Sequence, residues 1–282
     1  MVEAERFTIT RLVSKNGTGG IYEALDTKHD QRVLLHRLYA ENGDTSTRGW
    51  DFLFKDIARQ WQIIDHSGFM KMHSADIDED GAYMSLRYFE YSLLLAVYPN
   101  GMPVEEFYNF ATQACSVIDA IHDMGVVHGA LVPNSFLISL ETVNQNKYIL
   151  SDLGLTGLVP KINKQYAKNF LPSDPALLAP ELFEKIAPVF ITDIYMLGHI
   201  FYYILAGVHP LANLPLREAE RRHFQHDFSR VDEIRPHIPE NIATWIQSMM
   251  LPHPEDRLQD MRDVIANMPP REDFVSIMYE TA

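Results

Sequence analysis

The chain has 282 residues, 46% apolar and 11% aromatic, which is enough for one large or two modest cores and excludes a disordered chain. Its 38 acidic and 24 basic side chains leave a formal charge of −14, without the basic surface that binds phosphate backbones, so nucleic acid is not expected as a partner. One cysteine, Cys115, excludes an internal disulfide and a cysteine zinc cluster; with no signal-peptide core and no apolar run long enough for a bilayer, the expectation is a cytoplasmic chain without a membrane segment.

Residues 7 to 38 alternate in the manner of strands, broken by a glycine-rich turn before Ile21 and a polar hairpin at Lys28 to Gln31, which predicts three strands. From Trp50 to Ile64 apolar residues recur at helical spacing. Two further strands are predicted over 69 to 73 and 82 to 89, around a turn at Asp78 to Gly81. Residues 105 to 124 place Phe107, Phe110, Ala114, Val117, Ile118 and Ile121 on one helical face, a pattern of core packing, and Gly125 supplies a left-handed stop. The stretch His128-Gly129-Ala130-Leu131-Val132-Pro133-Asn134-Ser135 follows, then an apolar strand from Phe136 to Ile138 and a hairpin leading into Asp152-Leu153-Gly154. Beyond it come Ala179-Pro180-Glu181, an apolar helix opening at Asp193-Ile194-Tyr195-Met196-Leu197-Gly198, and Arg257 in a polar turn. No internal repeat, low-complexity tract or heptad occurs.

In this order and combination the stretches resemble the eukaryotic-type Ser/Thr protein kinases, in their bacterial form, over residues 7 to 268. The resemblance implies an α+β, bilobal protein-kinase-like fold. A small five-stranded N-lobe with one main helix would span 1–89, a larger, mostly helical C-lobe 90–268, and a tail 269–282. Scaffold residues match the family best: Glu181 of the Ala-Pro-Glu motif would pair with Arg257, Asp193 would hold the backbone of the catalytic loop, and His128 would pack beneath it. Breaking such a buried pair costs about 3 to 5 kcal/mol, so Glu181 and Arg257 could persist for the fold alone.

The positions that carry chemistry in the family read differently. Where the family has His-Arg-Asp-Leu-Lys-Pro-x-Asn, the base position is Ala130, the arginine Gly129, the lysine Val132 and the metal asparagine Ser135; Asn134 stands one place early. A methyl group accepts no proton. Val33-Leu34-Leu35-His36 occupies the Val-Ala-x-Lys place, so Leu34 adds bulk where a purine would lie. His36, with an ordinary pKa of about 6.5, is mostly neutral at pH 7. Ile57, beside Asp56, takes the helix glutamate's place. Ser14, Asn16 and Gly19 take those of the three phosphate-loop glycines, and only the last is glycine. Leu86 corresponds to the gatekeeper and Arg87-Tyr88-Phe89 to the hinge. Asp152 matches the Asp of Asp-Phe-Gly, the family's principal magnesium ligand. It is the one candidate metal ligand, and a lone carboxylate holds magnesium weakly without substrate phosphates, so a structural role is expected for it. Residues 155 to 178 match the activation segment; Tyr166 and Ser173 could take phosphate there, but Gly129 cannot receive it.

These departures lead to the expectation of a catalytically inactive pseudokinase, a protein-interaction scaffold or allosteric regulator without catalytic residues or cofactor. Its expected partner is another protein, such as an active kinase or its substrate, with a homodimer left open. The alternative is a nucleotide-binding switch, or a kinase-fold enzyme with atypical phosphoryl or nucleotidyl transfer, that uses ATP, magnesium and Asp152.

Overall fold

The structure, a computed structural model, describes residues 6–16, 19–39, 50–78, 81–142, 145–152 and 174–275. The described residues up to Glu90 form one compact unit and those from Tyr91 onward a second.

The first unit is an antiparallel sheet of five strands, β1 (Phe7–Asn16), β2 (Gly19–Asp26), β3 (Gln31–Tyr39), β4 (Met72–Asp78) and β5 (Gly81–Arg87), in the order β1-β2-β3-β5-β4. Alternation assigns the faces. Phe7, Tyr22, Ala24, Val33, Leu35 and Tyr83 cluster as one core, whereas Leu34, His36, Met84 and Leu86 fall on the opposite face, with Leu34 directly across from Leu86. Helix α1 (Trp50–Ile63) is the helix of this unit. The strand expected over 69 to 73 begins instead at Met72. Phe69 packs its ring 5.1 Å from that of Trp61, and Trp61 Nε1 donates to the Met70 carbonyl. Those two residues are held by the helix before the strand can start.

The second unit opens with β6 (Tyr91–Leu93) and α2 (Leu94–Val97), followed by α3 (Val104–Asp123). Glu105 and Glu106 in the first turn of α3 suit the helix dipole, and Gly125 follows its end at φ +75°. Strands β7 (Phe136–Ser139) and β8 (Lys147–Leu150) complete a small three-stranded sheet with β6. Then come α4 (Pro180–Phe183), α5 (Phe190–Ala206), α6 (Leu216–Gln225), α7 (Val231–Ile234), α8 (Glu240–Met249), α9 (Met261–Ala266) and α10 (Arg271–Val275).

Helix α5 is buried along nearly its whole length. Phe107 of α3 meets its Phe201 edge to face, and Trp245 of α8 stacks on the same ring. Gly198 lets α8 approach, because a Cβ there would meet Met249 Cβ at 2.9 Å and Met250 Cγ at 2.8 Å. The chain past Pro269-Pro270 belongs to this core: Phe274 is buried, its ring 4.9 Å from that of Tyr108. Residues 276–282 of the expected tail lie outside the described residues. Among the described residues no helix is long and apolar enough to cross a membrane.

Candidate active site

In the second unit the functional positions are assembled on the loop between α3 and β7, on the second residue after β8, and on α5. The Asp193 carboxylate, at the start of α5, is fully buried. It accepts from the backbone N–H of His128 at 2.8 Å, from that of Gly129 at 2.7 Å, and faces Nε2 of His122 at 2.9 Å. A buried carboxylate with this many donors is satisfied, and it fixes the loop in one shape. Gly129 sits at φ +70°, and an added Cβ would lie 2.8 Å from Pro188 Cγ. Backbone conformation and neighbour therefore both select glycine where the family has arginine.

His128 turns its ring towards Asp152, the second residue after β8. Its Nε2 lies 3.0 Å from Oδ1 of Asp152, and its Nδ1 accepts from the Ala130 N–H at 3.3 Å. The imidazole is fully buried while the Asp152 carboxylate is 18% exposed. Burial lowers the His128 pKa, but the charges of Asp152 and Asp193 and the Asp152 hydrogen bond outweigh it and leave a net rise. Sequence pattern did not reveal this contact, because the chain returns to His128 only after the β7–β8 hairpin.

Ser135 is buried, and its hydroxyl accepts from the Val132 N–H at 3.3 Å within a short 3₁₀ turn. Its carbonyl accepts from both the N–H and the hydroxyl of Ser151, which ties the turn to the residue before Asp152. The side chain is thus engaged in its own loop. Val132 is half-buried, Asn134 is exposed, and Ala130 is buried.

Glu181 and Arg257 form a two-pronged pair, with Nη1–Oε1 at 3.0 Å and Nη2–Oε2 at 2.9 Å. Thr192 donates its hydroxyl to the same carboxylate, and Arg257 also donates to the carbonyls of Leu251 and Pro252. Burial would raise the Glu181 pKa, yet the guanidinium overrides it and holds the carboxyl below its ordinary value.

The first unit carries the nucleotide-side positions. Leu34 and Leu86 are 2% and 1% exposed, so their side chains are already packed. His36 and Ile57 are half-buried, and Asp56 accepts from Gln60 one helical turn on. Tyr88 lies beneath the Arg32 guanidinium, 3.8 Å from its ring centre, and shares hydrogen bonds with Arg32 and Glu90. Ser14, Asn16 and Gly19 pair across the first hairpin as Ser14 with Ile21 and Asn16 with Gly19. The expected turn residues Glu79 and Asp80, the tripeptide members Leu153 and Gly154, and Tyr166 and Ser173 lie outside the described residues.

Among the described residues no three His, Cys, Asp or Glu side chains are grouped to hold a metal. Among the described residues the candidate donor for magnesium is Asp152, partly exposed and within hydrogen-bond distance of His128. That fits a magnesium ion bound through one carboxylate, with nucleotide phosphates and water as its other ligands; it does not fit an all-protein cage.

The chain matches the protein kinase domain family over residues 7–268. It is 25% identical, over 92% of its length, to the Serine/threonine-protein kinase PknD of Chlamydia felis, and 22% identical, over 93%, to the Serine/threonine-protein kinase PrkC of Bacillus subtilis. It spans 30% and 40% of those two proteins. The crystal structure of the PknI kinase domain of Mycobacterium tuberculosis superposes with a TM-score of 0.68 at 16% identity, covering 96% of both chains.

These relatives correct two expectations. The reading as an inactive pseudokinase and scaffold is overturned by relatives named as Ser/Thr protein kinases across nine-tenths of the chain. The expectation of no cofactor falls with it, since kinases work on ATP with magnesium. The expectation of inactivity rested on the joint loss of base, lysine, metal asparagine and two loop glycines. Phosphoryl transfer through a loose transition state depends mostly on positioning and electrostatic stabilisation, to which a single base is one contributor.

Proposed function

Because the chain belongs to the protein kinase family, we propose that it is a Ser/Thr protein kinase domain that binds ATP with magnesium and passes the γ-phosphoryl group to a protein hydroxyl. The observation that carries this reading is the family match across residues 7–268, with longer relatives, matched over nine-tenths of this chain, named as Ser/Thr kinases.

Each residue then has a defined task. Asp152 holds the magnesium ion that neutralises phosphate charge. His128 donates Nε2–H to Asp152 and orients the carboxylate. Asp193 keeps the 128–129 backbone in place. Ala130 offers no carboxylate to the substrate hydroxyl, so transfer runs slowly, by about 10² to 10⁴-fold relative to a site with a positioned base. His36 stands where the family has a phosphate-pairing lysine. The partner in this reading is a protein substrate, and the buried free thiol of Cys115 suits the reducing cytoplasm.

The test is transfer of labelled γ-phosphate from ATP to casein or to a Ser/Thr peptide library in the presence of magnesium. Slow incorporation that disappears in Asp152→Ala supports the reading. No incorporation above background, with the protein folded and at high concentration, refutes it.

A further inference from the structure

A group of side chains beyond the site already described joins α4, α5 and α6. His223, on α6 and fully buried, bonds on both sides. Its Nδ1 lies 2.7 Å from the Tyr195 hydroxyl on α5, and its Nε2 lies 2.8 Å from the Pro175 carbonyl. A carbonyl can only accept, so Nε2 carries the proton and Nδ1 receives the tyrosine O–H. Each contact selects the tautomer that the other needs.

Pro175 lies in the short 3₁₀ turn Pro175–Leu177, at the C-terminal end of the segment matched to the activation segment. Other bonds of this turn are local: Asp174 Oδ1 accepts from Ala176 N–H and the Asp174 carbonyl from Leu177 N–H. The bond from His223 comes from 48 residues away. Six residues after Pro175 the chain is held again, by Glu181 on Arg257. Tyr195 connects the two clamps, because the Arg257 guanidinium lies 4.4 Å above its ring while its hydroxyl holds His223.

We propose that His223, fixed by Tyr195, is a positioning residue that braces the backbone of residues 174–178 in the arrangement needed for phosphorylation of protein substrates. Groups around it favour a neutral ring. On α5 stand Tyr195 and His199, with the His199 ring 5.0 Å away; α4 contributes the Phe183 ring at 5.6 Å and Glu181, which is neutralised by Arg257. His226 lies three residues on in the chain, His209 bonds to His199 at 2.9 Å, and Asp174 is engaged in capping Ala176. Burial, with a smaller contribution from His226, pushes the His223 pKa down to about 4, against the raising effect of the Pro175 carbonyl.

The substrate consequence rests on the kinase reading, whereas the brace itself does not, and the experiment separates them. Amide hydrogen exchange is followed over residues 174–183 of the full chain. His223→Leu is expected to speed exchange at Ala176, Leu177 and Leu178 by about tenfold, the population change that one lost hydrogen bond brings. His223→Gln, whose amide N–H can reach the same carbonyl, is expected to restore most of the protection. Tyr195→Phe keeps the ring beneath Arg257 and removes the hydroxyl, and is expected to give an intermediate increase; it decides the question if His223→Leu does not fold. In the kinase assay His223→Leu raises KM for protein substrate and leaves KM for ATP unchanged. Wild-type exchange in folded His223→Leu, or in Tyr195→Phe where the leucine variant does not fold, overturns the brace, as does failure of His223→Gln to protect. Absence of phosphoryl transfer by the wild type overturns the kinase reading alone, and the exchange results still decide the brace.

Discussion

Nε2 of His128 lies 3.0 Å from Oδ1 of Asp152, so the carboxylate proposed to hold magnesium is bonded to a buried ring of the loop that carries Ala130 at the base position. A hydrogen bond to a charged group contributes about 1.5 to 3 kcal/mol. His128→Phe is expected to lower unfolding stability by about that amount and to weaken magnesium-dependent nucleotide binding. Urea unfolding combined with an ATP titration checks both, and unchanged stability with unchanged affinity would show that the contact orients nothing.

Restoring the base is expected to speed transfer. Ala130→Asp places a carboxylate at the family's base position, where general-base catalysis contributes about 10² to 10⁴-fold. The site is buried, so a stability cost accompanies the gain. Single-turnover phosphorylation, compared with thermal unfolding of the same variant, separates the two effects. An unchanged rate in folded Ala130→Asp would mean that this position does not set the rate.

Restoring the arginine is not tolerated in the same way. Gly129 sits at φ +70°, with Pro188 against the place of a Cβ. The left-handed conformation costs a side-chain residue about 1 to 2 kcal/mol before any clash. Gly129→Ala is expected to be destabilised by at least that amount and Gly129→Arg by more, as read from urea midpoints. Wild-type stability in Gly129→Ala would show that the loop relaxes freely.

Removing one member of the Glu181–Arg257 pair leaves a buried charge without its partner. Arg257→Leu is expected to cost about 3 to 5 kcal/mol, and Glu181→Gln less, since its amide oxygen still accepts from one guanidinium N–H. Loss below about 1 kcal/mol in Arg257→Leu would place this pair among those that barely contribute.

Acid stability depends on the buried histidines. Burial lowers the pKa of His199 well below its ordinary value, that of His209 to about 3 and that of His223 to about 4. The unfolded chain therefore binds protons below pH 6.5 that the folded chain refuses. Their stabilising contribution is full above pH 6.5 and is lost as pH falls towards the folded values, by up to about 1.4 kcal/mol per pH unit for each histidine. His128, raised in the fold, acts in the opposite sense. Urea unfolding between pH 7.5 and 5 should show stability falling with pH, with a shallower slope in His209→Gln. A flat profile in the wild type would contradict the burial argument.

Local pattern revealed much of the fold. The alternation over 7 to 38, the apolar face from Phe107 to Ile121 and the stop at Gly125 depend on neighbours within a few residues, and the corresponding strands and helix formed with ends shifted by one or two positions. The strand at 69 to 73 shifted further because Trp61 binds the Met70 carbonyl, a contact that no periodicity expresses. The site was less legible. Which motif residues had departed could be counted, but the activity could not be inferred from their number, because positioning is distributed over many groups. Long-range pairings, such as His128 with Asp152 and His223 with Pro175, bridge 24 and 48 residues. Tyr195 and His199, four apart on one helix, were the available hint that α5 presents a polar face within the core.

The most direct measurement is thermal stability of the wild type and Asp152→Asn with ATP, with and without magnesium. A ligand at 100 times its Kd adds about 2.7 kcal/mol. The account requires a magnesium-dependent stabilisation of the wild type that Asp152→Asn loses. No shift at millimolar ATP with magnesium, or an equal shift in Asp152→Asn, would contradict it.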